Sequence, residues 1–197
     1  MRTMEACQAI AKAVGERVIV ATMGAMQAFD ALGVAERRLS SVPLMGGAAS
    51  LGLGLALAKP DVGVIVVDGD ASLLMQFGGL VTVAENRPVS FTHVVIENGV
   101  QFAGVSALPT PGAGIVDFCG AALAAGYSRA ESFSDVASFE AALPRLLAAS
   151  GPTFVTLRVE AAPSRLGPSV PTPEVPDRQF ERMRTEAEQL GVWYANR

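Results

Sequence analysis

Asp70 and Asn98 are the two side chains of this sequence whose types and spacing could organise chemistry. Each stands just beyond an apolar, β-branched run: VGVIVVD before Gly69-Asp70, and FTHVVIE before Asn98-Gly99. Such runs read as strands covered on both faces, and parallel strands gather their ligand sites at their carboxyl ends. The two residues lie 28 positions apart (98 minus 70), with an apolar helical segment between them, so one βαβ unit can aim both at one point. A hard cation such as Mg²⁺ takes oxygen ligands in octahedral geometry and draws the rest from phosphate and water. The Asp70 carboxylate, the Asn98 amide oxygen and a loop carbonyl near Val100 would supply three. Ala71 and Ser72 open the helical segment, so their amides and the Ser72 hydroxyl can meet a diphosphate at a helix N-terminus. Each residue also has an ordinary explanation: Asp70 alone is a good N-cap, and Asn98-Gly99 alone is a turn.

Positioning the pair requires a sheet. Helical periodicity over 4–14 leads to a strand over 17–21, then to a Thr22-Met23-Gly24 turn that opens a helix to about Leu32. Residues 40–43 read as a short strand and 46–58 as a helix of small residues ended by Lys59-Pro60. Strands over 62–68 and 91–97 enclose a helix over 77–86, which Pro88 keeps from running on. The stretch QFAGVSALPTPGAG at 101–114 has turn-formers and no periodicity; long loops in compact domains are often functional. A helix over 115–125 with Asp117 in its first turn, a strand over 127–130, a helix over 134–149 and a strand over 153–159 complete the alternation. This order predicts a doubly wound, mostly parallel α/β sheet of five or six strands, occupying residues 1–160.

Residues 161–197 stand apart. Five prolines, at 163, 168, 171, 173 and 176, predict an extended arm. A final helix follows, with Asp177 as its cap, Phe180, Met183, Ala187 and Leu190 on one face and Gly191 to end it before Trp193 and Tyr194. Arm and helix would either wrap a partner subunit or pack back on their own domain.

Half the residues are hydrophobic, the net charge is −4, and no basic run exceeds Arg37-Arg38, which argues against nucleic acid as a partner. No apolar run reaches the roughly 20 residues of a membrane span. The N-terminal stretch mixes Glu5, Gln8, Lys12 and Glu16 into its apolar pattern, unlike a secretory signal, and a soluble, cytoplasmic protein is expected. Cys7 and Cys119 lack a CxxC or a His-bearing spacing in a chain whose single histidine is His93. That spacing argues against a Cys/His zinc site and suits small buried thiols in a reducing compartment. His93 lies inside a strand and reads as a core histidine. Gly52-Leu53-Gly54 half-matches a dinucleotide fingerprint but sits within a helical pattern, where that fingerprint has no mechanism.

The stretches LMGGAASLGLGLALAKPD, VVDGDASLLM and HVVIENGV resemble the diphosphate-binding, C-terminal domain of thiamine diphosphate enzymes. Within that family the likeness is nearest to the β subunit of sulfopyruvate decarboxylase and to phosphonopyruvate decarboxylase, and it covers the chain to about residue 160. The family signature, Gly-Asp-Gly-Ser/Ala followed after a helix-length gap by an Asn pair, stands here as Gly69-Asp70-Ala71-Ser72 and Glu97-Asn98. The resemblance implies thiamine diphosphate with Mg²⁺ held by Asp70, Asn98 and the Val100 carbonyl. It further implies that Met45 props the cofactor into its bent shape and that the Pro43 carbonyl holds the aminopyrimidine. Met23, Gly24 and Ala25 would line the diphosphate, and the Ala103 amide would reach it. Three positions depart from the pattern: Ala71 replaces a Gly, Glu97 replaces the first Asn, and Phe102 stands where relatives more often have Gly.

The family removes the cofactor's C2 proton with the help of a glutamate on a separate pyrimidine-binding domain, which this sequence does not contain. The resemblance therefore implies a β subunit that anchors the cofactor, in an (αβ)n hetero-oligomer whose pyrimidine-binding α subunit brings the glutamate. No catalytic side chain is assigned to this chain itself. The implied reaction is decarboxylation of a small 2-oxo acid such as sulfopyruvate or phosphonopyruvate. Two other readings stay open: a carboligase or oxidoreductase subunit using the same cofactor, and a non-catalytic cofactor-binding subunit.

Overall fold

In the computed structural model of this chain, residues 1–41, 44–103, 106–162 and 178–197 are described. Eight helices and eight strands are assigned among them: α1 (Thr3–Ala13), β1 (Val18–Ala21), α2 (Met23–Ala31), β2 (Arg38–Ser40), α3 (Ala48–Ala58), β3 (Val64–Gly69), α4 (Asp70–Met75), α5 (Gly79–Asn86), β4 (Ser90–Glu97), β5 (Val100–Gln101), β6 (Leu108–Pro109), α6 (Phe118–Ala125), β7 (Arg129–Phe133), α7 (Val136–Leu147), β8 (Gly151–Arg158) and α8 (Gln179–Ala195). Six strands form one sheet in the order β2-β1-β3-β4-β8-β7, every neighbouring pair parallel. The predicted doubly wound α/β fold is therefore what the chain forms.

The inner strands β1, β3, β4 and β8 are buried on both faces, which is why they read as largely apolar runs, whereas the edge strand β7 is partly exposed. Alternation assigns them to two cores. Ile19, Ile65, Val67 and Leu157 pack with Ile10 of α1, Phe29 of α2 and Phe139 and Leu146 of α7. Val18, Val20, Val66 and Phe154 pack with Leu53 of α3, Leu80 of α5, Ala122 of α6 and Leu190 of α8. The chain leaves β1 toward β2 on one side and β3 toward β4 on the other, so the order reverses between β1 and β3. That reversal opens the crevice where sheets of this kind take ligands.

Several boundaries differ from the expectation. The helix expected over 77–86 is α5, which starts at Gly79, and a separate short helix, α4, precedes it over Asp70–Met75, the two parted at 76–78 where Gly78-Gly79 offers no resistance to a bend. Arg87 at φ 48° ends the second one ahead of Pro88. The strand expected over 127–130 begins at Arg129: Gly126 at φ 110° terminates α6 and the Tyr127 amide donates back to the Ala122 carbonyl at 3.0 Å, so Tyr127 belongs to the helix end. The loop over 101–114 contains a short antiparallel ribbon, β5 with β6. The edge strand is 38–40 instead of 40–43, and α8 continues through Gly191 to Ala195. A mid-helix glycine costs about 1 kcal/mol, a cost that packing of Trp193 and Tyr194 against the core offsets. The five arm prolines and Asp177 lie outside the described residues. The final helix packs on its own chain, along β2.

Candidate functional site

Three turns converge at the carboxyl edge of the sheet. The first follows β1, where Thr22 donates from its amide (3.0 Å) and hydroxyl (3.3 Å) to the Val67 carbonyl of β3; Met23, Gly24 and Ala25 begin α2 at that join. The second is the Gly69-Asp70-Ala71-Ser72 turn after β3. The third is the Asn98-Gly99 turn after β4, with Gly99 at φ 70°, a conformation that glycine adopts without strain.

Asp70 holds the second and third turns together. Its side chain is buried; Oδ2 accepts the Gly99 amide at 2.7 Å and Oδ1 accepts the Ala71 amide at 2.7 Å. Burial pushes this carboxyl above its ordinary range, and the Gly99 and Ala71 amides pull the other way. Among the described residues no basic side chain forms an ion pair with it. A buried carboxylate with two amides and no cation is a donor set that fits a divalent ion, because each oxygen retains a lone pair. Asn98 Oδ1 accepts the Val100 amide at 2.9 Å, which fixes the amide group beside Asp70. Among the described residues no three of His, Cys, Asp and Glu group to hold a metal, so a cation here would rely on one carboxylate with amide and carbonyl oxygens.

Asp70 and Asn98 also line a cleft of about 250 Å³ together with Glu97, Thr110, Phe118 and Arg158. Glu97 is the residue that departs from the family's Asn pair. Burial raises its carboxyl, Arg158 at 3.6 Å opposes the rise, and the Asp70 charge adds to it. Arg158 enters from the end of β8, sixty-odd positions on, and no local pattern connected it to the site. Thr110, buried with its hydroxyl unpartnered among the described residues, follows the β5–β6 ribbon and its amide donates to the Gly99 carbonyl at 2.9 Å.

The remaining expected residues sit as follows. Met45 is 40 % exposed at the same edge, next to Gly46, whose amide donates to Ser72 Oγ at 2.9 Å. Among the described residues the Ser72 hydroxyl proton has no acceptor and can be donated, whereas the Ala71 amide is already given to Asp70. Ala103 is exposed in the turn joining β5 to β6, beside Phe102 at φ 52°, a backbone conformation that favours glycine. Pro43 lies outside the described residues. His93 is fully buried: Nδ1 and the Tyr127 hydroxyl are 3.1 Å apart, and Nε2 is 3.6 Å from Asp68 Oδ2. It lies among core aromatics, Phe91 and Phe154 included. Cys7 is buried, its thiol pushed up to about 12 by burial, and Cys119 is half-buried; both are free. Among the described residues no helix is long and apolar enough to cross a membrane.

A doubly wound sheet with an Asp turn and an Asn turn tied together at its carboxyl edge, next to its switch point, defines a class. The chain belongs to the family described as thiamine pyrophosphate enzyme, C-terminal TPP binding domain, which matches residues 22–157. Among similar proteins are a phosphonopyruvate decarboxylase of Streptomyces hygroscopicus, 36% identical over 146 residues covering 74% of this chain and 36% of that protein, and the sulfopyruvate decarboxylase subunit beta of Methanothermobacter thermautotrophicus, 36% identical over 116 residues covering 59% of this chain and 58% of that one. The chain thus spans between about a third and three fifths of the length of these relatives. A putative thiamin diphosphate-dependent enzyme from Mycobacterium smegmatis shares the fold, with a TM-score of 0.69 at 20% identity, over 81% of this chain and 32% of that one.

Proposed function

We propose that this chain is the diphosphate-anchoring β subunit of a split thiamine diphosphate-dependent 2-oxo acid decarboxylase of the sulfopyruvate or phosphonopyruvate kind. The observation that carries the reading is the Asp70 carboxylate: buried, without a cationic partner among the described residues, and bound to the amide that follows Asn98. Thiamine diphosphate, when bound, supplies the electron sink for loss of carbon dioxide. The chain's own residues do the holding. Asp70, Asn98 and the Val100 carbonyl would carry Mg²⁺, Gly69 and Ser72 with Met23, Gly24 and Ala25 would face the diphosphate, and the Ala103 amide would close on it. Met45 would set the cofactor's bend, and the Pro43 carbonyl would hold the aminopyrimidine.

The proton chemistry is assigned to a glutamate of a pyrimidine-binding α subunit in an (αβ)n assembly. The relatives named as beta subunits support a divided enzyme. So does the rim of the site, where Met23, Leu44, Met45, Met75 and Phe77 are all more than a third exposed, an apolar edge suited to burial by a second domain. Carbon dioxide release from sulfopyruvate, phosphonopyruvate and pyruvate tests the reading, measured for the chain alone and with a pyrimidine-binding partner. Activity only in the mixture is expected; full activity of the chain alone would sink the split arrangement.

A further inference from the structure

The final helix α8 lies beyond the stretch 22–157 that matches the family, and one of its side chains reaches the strand that leads into the cofactor loop. Glu186 is buried (8 % exposed) at the outer edge of β2. Its Oε2 accepts the Ser40 amide at 2.6 Å and its Oε1 accepts the Ser40 hydroxyl at 3.0 Å. Arg182 Nε donates to Oε1 at 2.9 Å, and Arg38 Nη2 approaches it at 3.4 Å. An edge strand offers its outward amides to whatever can pair with them. Here a carboxylate takes that place and fixes the last residue of the strand from both its backbone and its side chain.

Hydrogen bonds continue from Ser40 toward the site. The Ser41 amide donates to the Ala21 carbonyl at 2.8 Å, and the Ser41 hydroxyl donates to the Leu44 carbonyl at 3.2 Å. The Leu44 carbonyl also accepts the Gly47 amide at 3.0 Å. Gly46, between them, donates to Ser72 Oγ in the Asp70 turn. A displacement of Ser40 away from Glu186 would therefore act on the segment that carries Met45, whereas the strands β3 and β4 that carry Asp70 and Asn98 are held independently by the sheet.

We propose that Glu186 is a positioning residue for the cofactor site: by clamping Ser40 it holds Ser41, whose hydroxyl bond to the Leu44 carbonyl sets Met45 and Gly46 against the Asp70 turn. This rests on the thiamine diphosphate reading above. The role is transmitted through the chain, so it should tune cofactor affinity and leave the chemical step alone.

The test uses the full chain with Glu186→Gln, which keeps size and one acceptor but removes the charge that compensates Arg38. Two readouts are needed: amide hydrogen exchange at Ser40 and Gly46 without cofactor, and calorimetric titration with thiamine diphosphate at fixed Mg²⁺. Exchange at both amides should rise, and cofactor affinity should fall, each by about tenfold, the scale of one charge-assisted hydrogen bond. Ser40→Ala, which loses the hydroxyl contact alone and does not disturb the helix, should move both readouts the same way by about threefold. Leu146→Ala, in the opposite core, should lower the melting temperature and leave affinity unchanged. Faster exchange at Ser40 with wild-type exchange at Gly46 and wild-type affinity would make Glu186 an edge cap only and overturn the proposal. A wild-type chain that shows no saturable heat either alone or mixed with a pyrimidine-binding partner would overturn the cofactor reading instead, and exchange at Gly46 would still decide the clamp.

Discussion

The Gly99 amide donates to Asp70 Oδ2 at 2.7 Å, so the turn after β4 is tied to the turn after β3 by the residue expected to carry the metal charge. The cost is a buried carboxylate held above its ordinary range by desolvation.

Replacing Asp70 with Ala separates these two effects. The change leaves the Gly99 and Ala71 amides without their acceptor, about 1.5–3 kcal/mol for each bond to a charged group. It also removes a buried charge whose desolvation costs several kcal/mol. The terms oppose, so the melting temperature without cofactor should move by less than about 5 °C. Binding has no such compensation. Thermal scans with thiamine diphosphate and Mg²⁺ should show a stabilisation of about 2.7 kcal/mol at a hundredfold excess over Kd for the wild-type chain and none for Asp70→Ala. An equal shift in both would refute the metal assignment.

Gly46→Ala tests the geometry of the Met45 segment. Gly46 sits at φ 85°, and a Cβ there would meet Gln76 Cβ at 3.0 Å. Left-handed backbone costs a side-chain-bearing residue about 1–2 kcal/mol, and the contact with α4's end adds to it because Gln76 is anchored by its own backbone. Destabilisation of about 2 kcal/mol is expected from chemical denaturation, with weaker cofactor binding, since relief of the clash requires the Gly46–Ser72 bond to lengthen. A variant as stable as wild type would mean the segment adapts freely.

Much of this arrangement is legible in the sequence, for a definite reason. β1, β3, β4 and β8 are covered on both faces, so burial writes itself into nearly continuous apolar runs, and a polar residue just past each run marks the carboxyl edge. Asp70 and Asn98 are visible on those grounds alone; naming the cofactor requires the family resemblance. What is hidden is what depends on residues far apart in the chain. In the sequence Arg38 is only half of a basic pair, yet it is a buried strand residue because Glu186 and Asp30 meet its guanidinium. Likewise, Gly191 reads as a helix end until Trp193 and Tyr194 pack on the core. Arg158 joins Glu97 in the cleft only through the β4–β8 pairing, whose register sets Glu97 beside Arg158.

Gly52 in α3 gives a test of how closely the helix of small residues approaches the sheet. A Cβ at this position would come within 2.3 Å of Val66 Cγ2 and 3.2 Å of Phe91. Alanine gains up to about 1 kcal/mol in helix propensity over glycine, whereas forcing a methyl into a packed core costs typically 1–3 kcal/mol. Val66 is a central-strand residue with no room to yield, so the overpacking wins. Gly52→Ala should lower stability by about 1–2 kcal/mol in denaturant titration, and unchanged or raised stability would show that α3 can move off the sheet.

The pH dependence of stability should carry the signature of the α8 anchor. Asp30 is held below the ordinary carboxylate range, first by Arg182, which reaches its two oxygens at 2.6 and 2.8 Å, and then by Arg38 at 2.7 Å. A carboxyl with a depressed folded-state value contributes stability above its unfolded value, roughly 3.9 for Asp, and loses that contribution as pH falls through the folded value. Asp30→Asn removes the contribution at every pH. The melting-temperature difference between wild type and variant should therefore be constant from pH 7 to about pH 5, narrow below about pH 4 and close at still lower pH. The side chain is 39 % exposed, so solvent screens the pair and the plateau is expected at about 1 kcal/mol or less, a few degrees in a chain of this size. Added salt should shrink the plateau. A difference that widens on acidification would mean that Asp30 is protonated more readily in the folded chain than in the unfolded one, the reverse of what two guanidinium groups at these distances impose.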